Sequence, residues 1–193
     1  MEVKYKLILI GDTGVGKTAL LKRKKDNVFE KDFTSTLGVD FYYIRYNKEN
    51  KKVKIYIWDT AGQEKFSNLI NVYFRDIDGA MILYDITDRK SFDNIQKWID
   101  KIELYNSKII PFILVGTKTD LEKKRQISKE EIQSFISKKN YLHSTCSSKD
   151  NSNIDETFNI IIDEMYKNKP GERREYIEFK NENQKKKNCC VIL

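Results

Sequence analysis

The chain of 193 residues has few of the residues that build disulfide scaffolds, zinc centres or nucleophile relays. It contains three cysteines, Cys146, Cys189 and Cys190, and one histidine, His143. Three unevenly spaced cysteines are too few for a disulfide framework, and a single histidine argues against a structural zinc site. A relay with a serine or cysteine nucleophile would need His143, which we expect instead to point outward from a strand.

Long apolar runs are also absent. No uninterrupted stretch approaches the roughly 18 apolar residues that cross a bilayer, and the first residues, MEVKY, lead directly into a predicted strand without a signal-peptide core. The apolar share of 39% suffices for one compact domain, which we expect in the cytosol. The net charge of +7 suits nucleic acid, an anionic membrane or a phosphate-rich ligand, and charge alone does not choose among them.

Apolar runs alternate with amphipathic stretches along most of the chain. Their periodicity predicts strands at 3–10, 40–47, 53–58, 79–85, 110–115 and 141–146, and helices at 17–25, 91–105, 128–139 and 154–168. This order predicts an α/β fold whose six-stranded, mostly parallel sheet carries helices on both faces. The linker at 47–52 is too short for a crossover helix, so the second and third strands should form an antiparallel hairpin at the sheet edge.

The ends of the helices carry further signals. Ser91 and Ser128 are expected helix N-caps, and Ser128 stands three residues before Glu131, the spacing of a capping box. Pro170 and Gly171 end the last helix, and the following residues are polar and without periodicity. We therefore predict a domain at 1–168 and a flexible tail at 169–193.

Directly after the first predicted strand stands GDTGVGKT, from Gly11 to Thr18, which matches G-x-x-x-x-G-K-[ST] and opens a helix. The glycines let backbone amides approach phosphate oxygens at a helix N-terminus. Lys17 would reach the β- and γ-phosphates, and the Thr18 hydroxyl is placed to bind Mg²⁺. The alternative is a fortuitous glycine turn.

A second motif, WDTAGQE, follows the third predicted strand. Asp59 ends an apolar strand, which suits a carboxylate that holds Mg²⁺ directly or through water. The backbone of Gly62 can approach a γ-phosphate, and Gln63 could orient an attacking water. The alternative is an ordinary strand exit capped by Asp59.

Two loops after the fifth and sixth predicted strands, GTKTD and SSK, suit recognition of a base. The Asp120 carboxylate can accept hydrogen bonds from N1–H and the 2-amino group of guanine, and adenine has no matching pair of donors. The Lys118 stem can cover one face of the base while Phe29 covers the other.

Together these segments resemble a small GTPase of the Ras superfamily, and specifically its Rab branch. The Rab-like segments are TLGVDF at 36–41, YIWDTAGQEKF at 56–66 and GAMILYDIT at 79–87, together with the paired C-terminal cysteines. The resemblance covers nearly the whole chain. It implies a single P-loop G domain that binds GTP and GDP with Mg²⁺, hydrolyses GTP slowly, and switches conformation to recruit effectors in vesicle trafficking.

The resemblance also assigns roles to individual residues. Catalysis would depend on Gln63 and Lys17, and Mg²⁺ on Thr18, Thr36 and Asp59. The residues expected at the nucleotide are Thr13, Gly14, Val15, Gly16, Lys17, Thr18, Ala19, Phe29, Thr36, Gly62, Thr117, Lys118, Asp120, Ser147, Ser148 and Lys149. Those expected at effectors are Thr36, Leu37, Gly38, Val39, Asp40, Phe41, Trp58 and Tyr73, although the last three also suit partly buried sheet positions.

Some residues depart from the family pattern. Thr117 stands where most members have asparagine, and guanine selectivity should survive through Asp120. Asp76 replaces a usual glycine, and Lys24 replaces a larger apolar residue. The basic run KRKK at 22–25 suits a solvated helix end better than a nucleic-acid signal, and we expect no nucleic-acid partner.

The chain ends in Cys-Val-Ile-Leu, a prenylation motif whose terminal leucine predicts geranylgeranyl transfer. With paired cysteines, both Cys189 and Cys190 are expected to carry lipid, beside the basic residues 185–187. The alternative is an unmodified end. The resemblance implies a G domain that acts as a monomer on the cytoplasmic face of intracellular membranes, exchanges with the cytosol, and meets an exchange factor, a GTPase-activating protein and an escort protein.

Three other functions stay open from the sequence. A Ras- or Rho-like signalling switch would share the nucleotide motifs. A P-loop ATPase or nucleotide kinase would need a second substrate site, for which the chain has no additional lid domain. A silent nucleotide-binding module would lack turnover, but the presence of Thr18, Thr36, Asp59 and Gln63 argues against it.

Overall fold

A computed structural model of the protein describes residues 2–30, 39–60 and 71–168, with only the backbone of residue 71. Its strands are β1 (Glu2–Ile10), β2 (Val39–Lys48), β3 (Lys51–Thr60), β4 (Gly79–Asp85), β5 (Phe112–Thr117) and β6 (Leu142–Thr145). Its α-helices are α1 (Lys17–Asp26), α2 (Arg89–Asp93), α3 (Ile95–Tyr105), α4 (Lys129–Ser137) and α5 (Ile154–Asn168). Short 3-10 helices cover Asn71–Phe74 and Thr119–Lys124.

The six strands form one sheet in the order β2-β3-β1-β4-β5-β6. All neighbouring pairs are parallel except β2 and β3, which are antiparallel. The predicted fold class is therefore confirmed, including the antiparallel edge strand. In such a sheet the carboxyl ends of the parallel strands share one edge, where ligands bind.

Apolar side chains cover both faces of this sheet. On one face β1 and β3 pack against α1 and α5 through residues such as Leu7, Leu21 and Phe158. On the other face β1 and β4 pack against α2, α3 and α4 through residues such as Ile8 and Ile99. The carboxyl-terminal half of β1 is therefore buried on both sides, which fixes the start of the loop that follows it.

The hairpin between β2 and β3 is tighter than the predicted linker. The strands extend to Lys48 and from Lys51, so only Glu49 and Asn50 form the turn. Both residues have positive φ, 48° and 61°, as a two-residue turn matching the strand twist requires. At β5 the predicted start is two residues early, because Pro111 has no N–H to give to a ladder and the strand begins after it.

The prediction of one helix at 91–105 with Ser91 as its N-cap is wrong. The structure has α2, capped by the Asp88 side chain, which accepts from Lys90 N, and then α3 after Asn94. Ser91 lies inside α2 and is buried, with its hydroxyl 2.7 Å from the Asp88 carbonyl. Ser128 is confirmed as an N-cap, since its Oγ accepts from Glu131 N at 3.1 Å.

Two departures from the family pattern have local explanations. Asp76 has φ of 54°, a conformation that favours glycine, which accounts for the glycine expected there. Lys24 packs as an amphipathic residue between helices: its ammonium pairs with Asp155 and lies 5.1 Å from the ring centre of Tyr46 and 5.7 Å from that of Phe158. The lysine therefore keeps α1 and α5 in contact.

We expect Gly11→Ala to reduce the free energy of unfolding by more than about 3 kcal/mol. Gly11 has φ of 139°, and a Cβ there would lie 2.3 Å from the Leu83 carbonyl oxygen, which is fixed in β4. Gly14→Ala is the matched control, because its φ is 80° but a Cβ would meet nothing within 4 Å. Urea unfolding measures both, and equal losses would contradict the steric explanation.

Candidate functional site

The glycine-rich segment forms a loop between β1 and α1 that surrounds the ammonium group of Lys17. The ammonium donates to the backbone carbonyls of Gly11 and Asp12, each at 2.8 Å. Lys17 is only 5% exposed, and burial lowers its pKa to about 8, while the charges of Asp59 and Asp12 oppose this shift. An ammonium has three N–H donors, so these two contacts leave a third that an anion could accept.

Other loop residues lie where the motif predicts. Gly16 caps α1 with φ of 96°, Val15 is buried, and Thr13 and Gly14 are exposed at the tip of the loop. Ala19 lies buried in the first turn of α1. The first turn of α1 contains no acidic residue, so its free amides and dipole favour an anion.

The predicted metal-binding carboxylate lies beside this loop. Asp59 is fully buried near the end of β3, which pairs with β1 through Leu9 and Asp59. Its Oδ2 accepts from the Thr18 hydroxyl at 2.6 Å, and its Oδ1 has no hydrogen-bond partner among the described residues. Burial raises the pKa of Asp59 to about 6, against the Thr18 hydrogen bond and the charge of Lys17.

A buried carboxylate oxygen without a partner is costly unless something else binds it. The Thr18 hydroxyl lies beside this carboxylate, and Mg²⁺ prefers oxygen ligands, including one or two carboxylates. The described residues contain no group of three or more histidine, cysteine or acidic side chains that could hold a metal. The residues present thus fit a magnesium ion shared with phosphate, and they do not form an all-protein metal cage.

The two loops predicted to bind the base meet at Asp120. Its Oδ1 accepts from the Ser147 hydroxyl at 2.7 Å, and its Oδ2 lies 3.7 Å from the Lys149 ammonium. The backbone joins the same loops, since Thr119 N donates to the Cys146 carbonyl at 3.3 Å. Asp120 is therefore held in place by the loop after β6.

Thr117 connects the base loop to the phosphate loop. Its buried hydroxyl lies 2.6 Å from the Val15 carbonyl and 3.0 Å from the Tyr84 carbonyl. The structure thus gives Thr117 a bracing position at the end of β5, in contact with the backbone of the phosphate loop. This contact explains how a threonine can occupy a position where asparagine is usual.

Helix α1 also contacts the base loops. Arg23 donates to the carbonyl of Ser148 at 2.6 Å and to that of Lys149 at 3.2 Å. Lys118 pairs with Asp85 at 2.6 Å, which fixes the end of its side chain. Phe29 is half-buried after α1, near Asn27, whose side chain accepts from Asn151 beyond the last base loop.

The described residues among those predicted to contact effectors lie on the edge hairpin and beside it. Val39, Asp40 and Phe41 begin β2, and Phe41 is directly opposite Trp58 in β3, with ring centres 5.1 Å apart. Phe41 is 38% exposed, whereas Trp58 and Tyr73 are half-buried against the same apolar cluster. Sheet packing and partner binding both suit these rings.

Several predicted residues lie outside the described residues: Thr36, Leu37, Gly38, Gly62, Gln63, Cys189 and Cys190. His143 is described, and the expectation that it points outward is wrong. Its Nε2 lies 3.0 Å from the Tyr84 hydroxyl, and burial lowers its pKa to about 4. Across residues 2–30, 39–60 and 71–168, no helix is long and apolar enough to span a bilayer.

The sequence did not indicate a role for Asp12. Both of its carboxylate oxygens accept hydrogen bonds from the region of α3. Asn94 Nδ2 donates to one oxygen at 2.6 Å, and Trp98 Nε1 donates to the other at 3.0 Å. Asp12 occupies a variable position in the phosphate-loop motif, so only its acidic character was available as a signal.

A glycine-rich loop around a buried lysine, at the carboxyl edge of a mainly parallel sheet, defines a P-loop nucleotide-binding protein. The sequence model of the Ras family matches residues 6–167. The chain is 38% identical to GTP-binding protein ypt2 of Schizosaccharomyces pombe over 96% of this chain and 95% of that protein. It is 43% identical to Ras-related protein Rab-8B of Homo sapiens, over 80% and 74% of the two chains.

A further relative, Ras-related protein Rab-13 of Canis lupus familiaris, is 38% identical over 88% of this chain and 83% of its own. The chain therefore belongs to the Ras family, and its relatives place it in the Rab branch of small GTPases.

The raised pKa of Asp59 predicts a pH dependence of folding. Because this pKa is higher in the folded protein than in the unfolded chain, the folded state binds the proton more tightly. The resulting stabilisation is complete below about pH 4 and is lost as the pH rises through 6. Relative to Asp59→Asn, the wild-type free energy of unfolding should fall by about 2 kcal/mol between pH 4 and 7.5.

This comparison requires urea unfolding of both proteins in a metal chelator, so that no cation competes with the proton. A difference that stays constant over the pH range would mean that Asp59 titrates as in the unfolded chain.

Removal of the Thr117 hydroxyl should destabilise the protein. Thr117→Val keeps the side-chain shape but removes the one buried hydroxyl proton, which is shared between the carbonyls of Val15 and Tyr84 or donated to one of them. We expect a loss of about 1 to 3 kcal/mol in the free energy of unfolding, and less than 1 kcal/mol for Thr117→Ser, which keeps the hydroxyl. Equal losses in the two variants would contradict a dominant role of the hydroxyl, since Thr117→Ser loses only the methyl group.

Proposed function

We propose that this Rab-like small GTPase binds guanine nucleotide and Mg²⁺ at the carboxyl edge of β1, β3 and β5, through the residues predicted from the sequence. As a Rab-like small GTPase it hydrolyses GTP and acts in vesicle trafficking. The observation that carries the residue assignment is the convergence of Lys17, Thr18 and Asp59 at one point. A buried ammonium, a hydroxyl and a carboxylate there match a magnesium-bound phosphate chain.

The phosphate loop binds the phosphates in this proposal. The first turn of α1 supplies a positive dipole end. Hydrogen-bond donors come from the backbone amides of Thr13, Gly14, Val15, Gly16 and Lys17. The Lys17 ammonium stays largely protonated at neutral pH, because its pKa, although lowered, is about 8. It can therefore neutralise charge on the transferred phosphoryl group.

Thr18 and Asp59, with Thr36 outside the described residues, would hold Mg²⁺. When bound, Mg²⁺ neutralises charge between the β- and γ-phosphates. Ionisation of Asp59, whose pKa is near 6, favours cation binding at neutral pH. Gln63, also outside the described residues, would orient the attacking water, and Gly62 would contact the γ-phosphate through its backbone.

No arginine is expected to reach the phosphates from within the chain, so a GTPase-activating protein would supply one. Such an arginine accelerates hydrolysis by roughly 10³ to 10⁵.

The base would lie between the Lys118 stem and Phe29, over Asp120, and near the loop of Ser147, Ser148 and Lys149. The contact of Arg23 with that loop, and of Thr117 with the phosphate loop, supports a preorganised site.

Effectors would bind at Thr36 to Phe41, Trp58 and Tyr73. The exposure of Phe41 beside Trp58 supports this, since interfaces are rich in aromatic residues.

Cys189 and Cys190 would carry prenyl groups at the end of a tail at 169–193, beyond a domain at 1–168. Two lipids would hold the protein on the cytoplasmic face of intracellular membranes, and an escort protein and an exchange factor would govern its cycle.

The test is displacement of a fluorescent guanine nucleotide from the full chain by GTP, GDP and ATP, with and without Mg²⁺. We expect GTP and GDP to compete, ATP to be inert, and Mg²⁺ to slow release. Displacement by ATP, or absence of binding, would contradict the proposal and favour an ATPase or another nucleotide-binding module.

Asp120→Asn sharpens this test through the base. Replacing one acceptor oxygen with an NH₂ group removes the acceptor for the 2-amino group of guanine, but places a donor opposite the 2-oxo group of xanthine. We expect GDP affinity to fall at least about a hundredfold and XDP affinity to rise. Competition with both nucleotides measures the change, and a parallel loss for GDP and XDP would mean that Asp120 does not contact the base.

A further inference from the structure

Helix α3 is connected to the phosphate loop through the side chain of Asp12. Asn94 precedes α3 and Trp98 lies four residues later, which places both on the same side of the helix. They are 82 and 86 residues from Asp12 in sequence, yet each donates a hydrogen bond to one of its carboxylate oxygens, at 2.6 Å and 3.0 Å. Both carboxylate oxygens are thus held by one element.

This element is rigid. Ile95, Ile99 and Ile102 of α3 are buried in the apolar cluster that contains Ile8 and Ile10 of β1. The Trp98 ring packs against the same cluster, with the Lys101 ammonium 4.6 Å from its centre. The two donors therefore approach Asp12 from fixed positions, and a hydrogen bond to a charged carboxylate is stronger than one between neutral groups.

The backbone of Asp12 acts on the phosphate-binding lysine. Its carbonyl is one of the two acceptors of the Lys17 ammonium, and its carboxylate charge raises the Lys17 pKa. The other acceptor, Gly11, belongs to the loop immediately after β1. A shift of the Asp12 side chain would therefore move one of the two groups that aim the ammonium.

We propose that Asn94 and Trp98 are positioning residues for the phosphate loop, which set the lifetime of bound nucleotide through Asp12 and Lys17. Neither residue is among those assigned to the nucleotide, the metal or effectors. The inference rests on the proposed binding of guanine nucleotide by this loop. It predicts that α3, which lies on the face of the sheet opposite α1, controls nucleotide release.

The test measures release of fluorescent GDP from the full chain with Mg²⁺, chased with unlabelled GDP. Trp98→Phe keeps an aromatic ring but removes the N–H, and Asn94→Ala removes the amide. We expect release to be roughly threefold to tenfold faster in each, since the effect of a lost charged hydrogen bond reaches the nucleotide only through Lys17. Asn94→Asp places a carboxylate against Asp12 and should accelerate release more than Asn94→Ala.

Two controls on the same helix separate positioning from stability and charge. Gln96→Glu adds a negative charge at an exposed residue whose amide bonds only within α3, to Asp100. Tyr105→Leu removes packing against Phe74 at the far end of α3 without a contact to Asp12. Thermal unfolding is measured for every variant. Both controls should release nucleotide at the wild-type rate, although Tyr105→Leu lowers the melting temperature.

The outcomes are distinct. Wild-type protein that binds no guanine nucleotide would overturn the proposed function, and this inference with it. If the wild-type protein binds but Trp98→Phe and Asn94→Ala release at its rate, the positioning role alone is wrong. Release rates that follow melting temperature across all variants, including Tyr105→Leu, would also overturn it, because general loosening would then explain them.

Discussion

The site depends on keeping two opposite charges, Lys17 and Asp59, out of water at the carboxyl edge of the sheet. Burial disfavours both, as their shifted pKa values indicate, because each charged form loses hydration. The protein compensates unevenly: Lys17 has two backbone acceptors, while one oxygen of Asp59 has no partner among the described residues. That imbalance leaves a carboxylate oxygen and an N–H donor that are available to the phosphate and cation of the proposed function.

The rest of the described fold holds these two residues at fixed positions. Strands β1 and β3 are parallel neighbours, in register at Leu9 and Asp59, so the loop after β1 and the end of β3 are adjacent. The Thr60 hydroxyl reinforces this pairing by donating to the Leu9 carbonyl at 2.9 Å. Three further hydrogen bonds reach the phosphate loop and α1. Thr117 of β5 bonds to Val15, Arg23 of α1 bonds to the loop after β6, and Asn94 beside α3 bonds to Asp12.

The alternation of strands and helices, the antiparallel edge hairpin and the position of the glycine-rich loop could be predicted from sequence because each leaves a local signal. A run of alternating apolar and amphipathic segments requires a parallel sheet, and the glycines of GDTGVGKT mark where the backbone must approach an anion. Errors arose where a tertiary contact decides the local structure. Serine is a residue type that favours helix N-caps, yet Asp88 caps α2 and Ser91 is buried inside it. His143 lies in a strand as expected, but Tyr84 holds it inside.

The sequence by itself determined the family, the fold class and the chemical types of the residues proposed to bind the phosphates and the base, because these are encoded in short segments with fixed spacing. Tertiary structure alone decided how those residues are held and charged. The bracing role of Thr117, the contact of Lys24 with Asp155, and the hydrogen bonds from Asn94 and Trp98 to Asp12 join residues far apart in the chain. Such pairs have no spacing signal in a single sequence, since they depend on how buried helices cross the sheet and on which groups lose contact with water.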